Sequence, residues 1–370
     1  MKYRMLGNTG LQVSVLSYGF WASFGSKGDA KGDAGLAAAK ECLSVARAAG
    51  VNLFDNAEAY GKPLGEAERI MGEAMAQLRA EEPALWRRSD VLVSTKVFWG
   101  GRGVNESGLS LKHCREALAA SLRRLQLEYV DLVFCHRPDP LTPTHTVVRA
   151  MTDLVRGGGA TAWGTSEWSA QQLTEAFWIA RAEGLEPPQF EQPQYHMFHR
   201  RRFEAEYQPL YAAPYRLGTT VWSPLAGGLL TGKYGGGGGE EGRSGEAGGV
   251  VVPPGSRLAD PAFAWLRARL EEWREDGKLA AVGALAEFAR AELGCSVAQL
   301  AVAWCLKNEN VSTVLLGATK PEQLRETLAA LDVAPRLTAE HMSRLDVLLG
   351  SKPPPYEGYG GHGARKLSKL

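Results

Sequence analysis

Apolar and polar positions along this chain fall into two kinds of block, short runs rich in β-branched and aromatic residues and longer alanine- and leucine-rich stretches of helical period. Residues 3–13 predict two short strands around GNTG, a hairpin signal with two turn glycines. Residues 15–18 predict a first core strand, closed by Gly19. Helical stretches at 36–49, 65–79, 111–125, 144–155 and 170–183 then alternate with strands at 51–55, 91–96, 130–136, 160–166 and 190–192. The alternation continues with a helix at 203–211, a strand at 219–222, helices at 284–293 and 297–308, and a strand at 312–316 ending at Gly317.

Counted from Val15, the pattern contains eight strands separated by helices, which predicts a (β/α)8 TIM barrel with an N-terminal β-hairpin. An open doubly wound sheet is the alternative, but it normally carries a GxGxxG turn after its first strand, and this chain has none there. Asp55, Lys96, His136, Ser166, Gln192, Trp222 and Gly317 all fall at predicted strand C-termini. In a barrel those positions form one rim, the face on which active sites are built.

Two segments interrupt the alternation. Residues 235–255, GGGGGEEGRSGEAGGVVVPPG, are dominated by glycine and predict a mobile loop over the same rim, because they follow the strand ending at Trp222. Residues 351–370, rich in Pro, Gly and Lys, predict a surface tail. No boundary divides the rest, so residues 1–350 are expected to form a single barrel domain.

Composition adds exclusions. A net charge of +1 offers no field for nucleic acid or a membrane surface. No segment approaches the roughly 18–20 apolar residues of a membrane span, and MKYRMLGNTG lacks the features of a signal peptide, so a cytoplasmic protein is expected. Five cysteines without a CxxC spacing point to buried reduced thiols rather than to a metal site or disulfides. Cys135 adjoins His136, but neighbouring strand residues face opposite ways, which argues against a Cys/His nucleophile.

The stretch VNLFDNAEAYG ends an apolar run in Asp55 and sets Tyr60 in the loop beyond. A phenol is a poor acid at neutral pH, and a nearby ammonium held by a carboxylate lowers its pKa. Asp55, Lys96 and Tyr60 make such a relay, and His136 is placed to hold a carbonyl oxygen beside the phenol. These parts suit reduction of an aldehyde or ketone, with the hydride coming from a cofactor. Taken singly, each residue has a structural reading: a strand-end Asp caps a turn, a Lys is a rim charge, a His is a satisfied core residue. Lys96 also suits a Schiff-base lysine of the barrel-aldolase kind.

DNAEAYG, VSTKVFWGG, SLRRLQLEYVDLVFCHRPDP, WGTSEWS, EQPQYHMF, VWSPLAGGLLTGKY and AWCLKNENVSTVLLGAT together resemble the aldo-keto reductases, in the branch of the voltage-gated potassium channel β subunits that includes plant members. The likeness covers residues 3–352. It implies a barrel that binds NADP(H) without a Rossmann fold and a catalytic tetrad of Asp55, Tyr60, Lys96 and His136. It further implies that Trp21, Asp55, Ser166 and Gln192 meet the nicotinamide end, and that Trp222, Ser223, Pro224, Leu225, Ala226 and Gly227 line the pyrophosphate with Lys233 nearby. Arg257, Gly317, Ala318, Thr319, Gln323 and Glu326 would surround the 2′-phosphate region, with Arg257 or Lys320 as the cation that favours NADP, and Trp99 would wall the substrate pocket.

The resemblance implies a small carbonyl substrate, a homotetramer and a channel α subunit as partners, with no metal. Animal channel subunits commonly carry asparagine where this chain has His136, and the histidine favours a competent reductase. The glycine-rich segment exceeds the family's cofactor-covering loop, which bears on cofactor exchange. The chain begins almost at the hairpin, so ball-type channel inactivation is not expected.

Overall fold

The structure, a computed structural model, describes residues 1–21, 24, 32–234, 252–254 and 256–354. Most of the expected glycine-rich loop at 235–255, residues 355–370 of the expected tail, and the side chain of Arg257 lie outside the described residues.

The chain opens with β1 (Tyr3–Met5) and β2 (Gln12–Ser14), paired antiparallel across GNTG. Eight further strands follow: β3 (Leu16–Gly19), β4 (Leu53–Asp55), β5 (Leu92–Val97), β6 (Val130–Cys135), β7 (Ala160–Ser166), β8 (Phe190–Gln192), β9 (Gly218–Val221) and β10 (Thr313–Leu316). They are all parallel and close into a barrel in chain order, β10 pairing with β3. Around them lie α1 (Gly32–Ala48), α2 (Glu66–Glu81), α3 (Leu111–Leu125), α4 (Thr144–Arg156), α5 (Ala170–Glu183), α6 (Ala264–Glu275), α7 (Lys278–Leu293), α8 (Val297–Lys307), α9 (Pro321–Leu328), α10 (Ala330–Val333) and α11 (Ala339–Leu349). The expected barrel and hairpin are therefore present.

Local chemistry fixes several of these elements. Capping boxes start α5 at Ser169 with Gln172 and α8 at Ser296 with Gln299, each satisfying helix N–H groups that would otherwise lack partners. At the opposite barrel end, Arg4 donates to the carbonyls of Leu306 at 2.9 Å and Asn308 at 3.1 Å, capping the C-terminal end of α8 and fastening the hairpin to the barrel floor.

Side-chain alternation explains both the core and the site. Leu53, Leu92, Leu132, Phe134, Ala162 and Phe190 point into the barrel and pack with Leu6 and Val13 of the hairpin, which plugs the floor. Phe54, Val93, Val133, Cys135 and Trp163 have the opposite parity and join the larger cluster between barrel and helices. Phe134 and Phe190 meet edge to face at 4.8 Å, each burial worth roughly 1.5–3 kcal/mol. Gly164 makes room for them, since a Cβ there would lie 2.1 Å from the Phe190 ring. One layer higher, the inward parity passes to Asp55, Ser94, Lys96 and His136, so the apolar barrel interior ends in a polar layer at the C-terminal mouth.

Several elements differ from the sequence-based expectation. The helix expected at 203–211 is a π turn, Arg202–Glu206, followed by a 3-10 turn, Gln208–Tyr211, because Pro209 removes an N–H and crowds the preceding turn. Helix α7 starts at Lys278 rather than 284, running through Gly283, whose position is open enough to tolerate the missing side chain. Helices α6, α9, α10 and α11 add cover that the alternation did not predict.

Candidate active site

The mouth is built around one fully buried cation. Lys96 Nζ donates to Asp55 Oδ2 at 2.5 Å and to the carbonyl oxygen of Asn56 at 2.7 Å, with side-chain exposures of 0% for Lys96 and 4% for Asp55. Asp55 Oδ1 accepts from Ser94 Oγ at 2.7 Å and from Gln192 Nε2 at 3.3 Å, and Gln192 also donates to Thr220 at 3.2 Å. Removing two charges from water costs several kcal/mol per ion, which only close pairing and saturated hydrogen bonding offset. Burial opposes the Lys96 charge, but Asp55 and Tyr60 outweigh it, so the ammonium is held above its ordinary pKa.

Tyr60 and His136 stand over this ion pair. The Tyr60 ring centre lies 4.8 Å from Lys96 Nζ, and His136 meets the same ring edge to face at 5.6 Å. Burial raises the phenol pKa, while Lys96 and Arg137 pull it down without fully compensating. The lysine thus acts in the expected direction, but desolvation is the larger effect. His136 is driven well below the ordinary imidazole range by burial and by the cations Lys96 and Arg137, so it is neutral. Its buried Nδ1 has no hydrogen-bond partner among the described residues. Cys135, beside it, faces the outer cluster, and burial pushes its thiol well up.

Loop contacts hold the phenol's surroundings. Glu58, buried between Asp55 and Tyr60 in sequence, accepts the Phe98 N–H at 2.5 Å and lies 3.2 Å from His113 Nε2. That bond ties the Tyr60 loop to the segment carrying Trp99, whose ring is half exposed and packs 4.5 Å from Phe98.

The other side of the mouth is made from strand ends and loops. Ser166 Oγ donates to the Gln192 carbonyl at 2.8 Å and accepts from Arg137 at 3.1 Å. Trp222, just past β9, continues the ladder through a bridge to Gln194, and its indole N–H donates to Glu167 at 2.9 Å. After it the backbone turns left-handed at Ser223, Ala226, Gly227 and Gly228, with φ of 59°, 50°, 69° and 105°, and Ser223 Oγ accepts the Gly227 N–H at 3.1 Å. Pro224 and Leu225 complete this turn, and Lys233 lies 5.1 Å from the Tyr234 ring.

Gly317, Ala318 and Thr319 follow β10, where Gln323 accepts the Thr319 N–H at 3.4 Å. Glu326 accepts from Ser296 at 3.0 Å on the surface beside them. Trp21 lies past β3, 6.1 Å from Phe263. Arg137, Glu58 and Glu167 were not singled out in the sequence. A charged residue directly after a strand-end site residue, as in HR and SE, is the signal that marks two of them.

Among the described residues there is no cluster of three or more potential metal ligands and no helix long and apolar enough to cross a membrane. The arrangement offers a protonated phenol, a permanent ammonium beneath it and a neutral imidazole beside it, which together can deliver a proton to a developing oxyanion.

The model of the "Aldo/keto reductase family" matches residues 15–349. The chain is 48% identical over 359 residues to a protein of Oryza sativa subsp. japonica named "Probable voltage-gated potassium channel subunit beta", covering 97% of this chain and 100% of that one. An Arabidopsis thaliana protein of the same name is 45% identical, with the same coverage of both chains. From the match over nearly its whole length and the likeness to these relatives, the chain belongs to the aldo/keto reductase family.

Proposed function

We propose that the chain is an NADPH-dependent oxidoreductase that reduces aldehydes or ketones to alcohols, with Tyr60 as the proton donor. The observation that carries this reading is the fully buried Lys96, clamped by Asp55 at 2.5 Å and lying 4.8 Å from the Tyr60 ring centre. A rim lysine with a structural role would reach solvent, and a Schiff-base lysine would need its amine neutral and free. Here the amine is charged and bonded to Asp55 and the Asn56 carbonyl.

The mouth fits a nicotinamide nucleotide. The turn after β9 bonds its own N–H groups at Ala226, Gly227 and Gly228 to Ser223 and Leu225, and its two bare glycines leave backbone that a ligand can approach closely, while the buried His136 Nδ1 has no partner among the described residues. Trp21, Asp55, Ser166 and Gln192 would hold its nicotinamide end, and residues 222–227 with Lys233 its pyrophosphate. Arg257, Gly317, Ala318, Thr319, Gln323 and Glu326 would surround its adenosine end, with Lys320 beside the 2′-phosphate. When bound, the nucleotide supplies the hydride that no side chain can.

The chain's own groups do the rest. His136 orients the substrate carbonyl oxygen beside the phenol, and Trp99 walls the pocket. Tyr60 rests protonated because its pKa is raised, and it gives that proton to the oxygen on which charge develops. The phenolate left behind is stabilised by the Lys96 ammonium, which Asp55 keeps charged and aimed. Solvent at the mouth returns the proton. On the same reading residues 1–350 form a single cytoplasmic domain.

The names of the rice and Arabidopsis relatives favour a second reading, a β subunit of a voltage-gated potassium channel, and on that reading we propose a homotetramer that uses bound NADP(H) as a redox sensor. Turnover separates the two. Oxidation of NADPH, followed by its absorbance against a panel of aldehydes and ketones with NADH in parallel, is expected to show turnover with a preference for NADPH. Tight NADPH binding without turnover on any substrate would overturn the reductase reading in favour of the sensor.

A further inference from the structure

Glu167 follows Ser166 at the end of β7 and adopts a left-handed backbone, φ 60°, a conformation that residues with a side chain rarely take. Every part of its carboxylate is engaged. Oε1 accepts the Gln194 backbone N–H at 2.6 Å and the Trp222 indole N–H at 2.9 Å, while Oε2 pairs with Arg202 Nη1 at 2.6 Å. One oxygen therefore bridges the continuations of β8 and β9 where their backbone ladder is running out.

Arg202, on the π turn, lies 3.6 Å from Glu206, which in turn accepts the Ala170 N–H at the start of α5 at 2.8 Å. Beneath Glu167 lies a second carboxyl, the fully buried Glu191, hydrogen-bonded by Thr165 and 3.5 Å from the Tyr207 hydroxyl. Tyr207 donates to the Trp168 carbonyl, so its oxygen is available to accept a proton from Glu191. Burial pushes Glu191 up to about 8, so at neutral pH it carries a proton and leaves Arg202 to Glu167.

We infer that Glu167 is a positioning residue for the nucleotide: its carboxylate fixes the Trp222 indole as a wall of the pyrophosphate site, and Arg202 fixes the carboxylate. This rests on the proposed function, and it assigns Glu167 to binding rather than to proton transfer. Glycine at 167 suits the left-handed backbone but removes the acceptor. Glutamine keeps an acceptor oxygen for the indole and turns its NH2 toward Arg202.

The test is a double-substitution cycle on nucleotide affinity, measured by calorimetry with NADP+ on the full chain, with thermal midpoints recorded to verify folding. Glu167→Gly is expected to weaken binding on the order of tenfold, the size of a charge-assisted hydrogen bond, and Glu167→Gln to recover part of that loss. In a Trp222→Phe background, which lacks the indole N–H, Glu167→Gly is expected to add less than about twofold. The nucleotide KM of Glu167→Gly should rise more than its kcat falls. Full additivity of the two substitutions, or unchanged affinity in a folded Glu167→Gly, overturns the inference while leaving the reductase reading in place. A parent chain that binds neither NADP+ nor NADPH overturns both.

Discussion

The two halves of the barrel mouth are built by different physics. On the side of β4, β5 and β6, Asp55, Lys96 and His136 inherit their positions from strand alternation, and a buried ion pair locks them. On the side of β7, β8 and β9, Trp222 and the turn after it are held by a left-handed backbone and by side chains such as Glu167 and Ser223 that bond main-chain and indole N–H groups. The first half is rigid because breaking it strands a charge in a dry interior. The second depends on loops, each contact worth about 1 kcal/mol, and is the half expected to adapt when a nucleotide enters.

The largest break in this comparison should come from Lys96→Met. It leaves Asp55 buried without its cation, and removing one partner of such a pair costs about 3–5 kcal/mol. Chemical denaturation should report a loss of that size together with loss of turnover. A variant as stable as the parent would mean that the ion pair does not organise the mouth.

A smaller effect is expected on the loop side. Gly228 sits at φ 105° with the Tyr234 ring close by, and Gly228→Ala forces a side chain into that backbone at a cost of about 1–2 kcal/mol. Because that strain belongs to the folded chain itself, denaturation should report a loss of about 1–2 kcal/mol, well short of the loss for Lys96→Met. An equal loss of global stability would erase the distinction between the halves.

A further effect concerns pH. Glu191 has a folded pKa near 8 against an ordinary 4.5, so between those values the folded chain holds a proton that the unfolded chain has lost. Stability should then fall as pH rises from 4.5 to about 8, by at most about 1.4 kcal/mol per pH unit. Glu191→Gln, neutral throughout, should flatten that slope in thermal unfolding. An unchanged slope would show that Glu191 is not the protonated group beneath Glu167.

How much of this could be read in the sequence follows the same division. Asp55, Lys96 and His136 were legible because period-two alternation and strand ends are sequence-local, and the parallel closure then brings them to one rim. Tyr60 was legible through its spacing from Asp55, but not the direction of its pKa, because desolvation depends on everything packed around the ring. Glu167, Glu58 and Arg137 escaped notice since their roles arise from contacts with residues 27 to 55 positions away. Helices α6 and α9 to α11 escaped because the strand-and-helix rhythm that revealed the barrel gives no cue for additions outside it.

The most direct test of the account is Tyr60→Phe, assayed for carbonyl reduction and, on the same preparation, for NADPH affinity. The phenol's hydroxyl belongs to the proton-delivering half alone, so turnover should fall roughly 10²–10⁴-fold, the usual contribution of a positioned acid, with affinity unchanged within about twofold. Reduction at the parental rate, or affinity lost in step with turnover, would contradict the assignment of Tyr60 as the acid and the separation of the two halves.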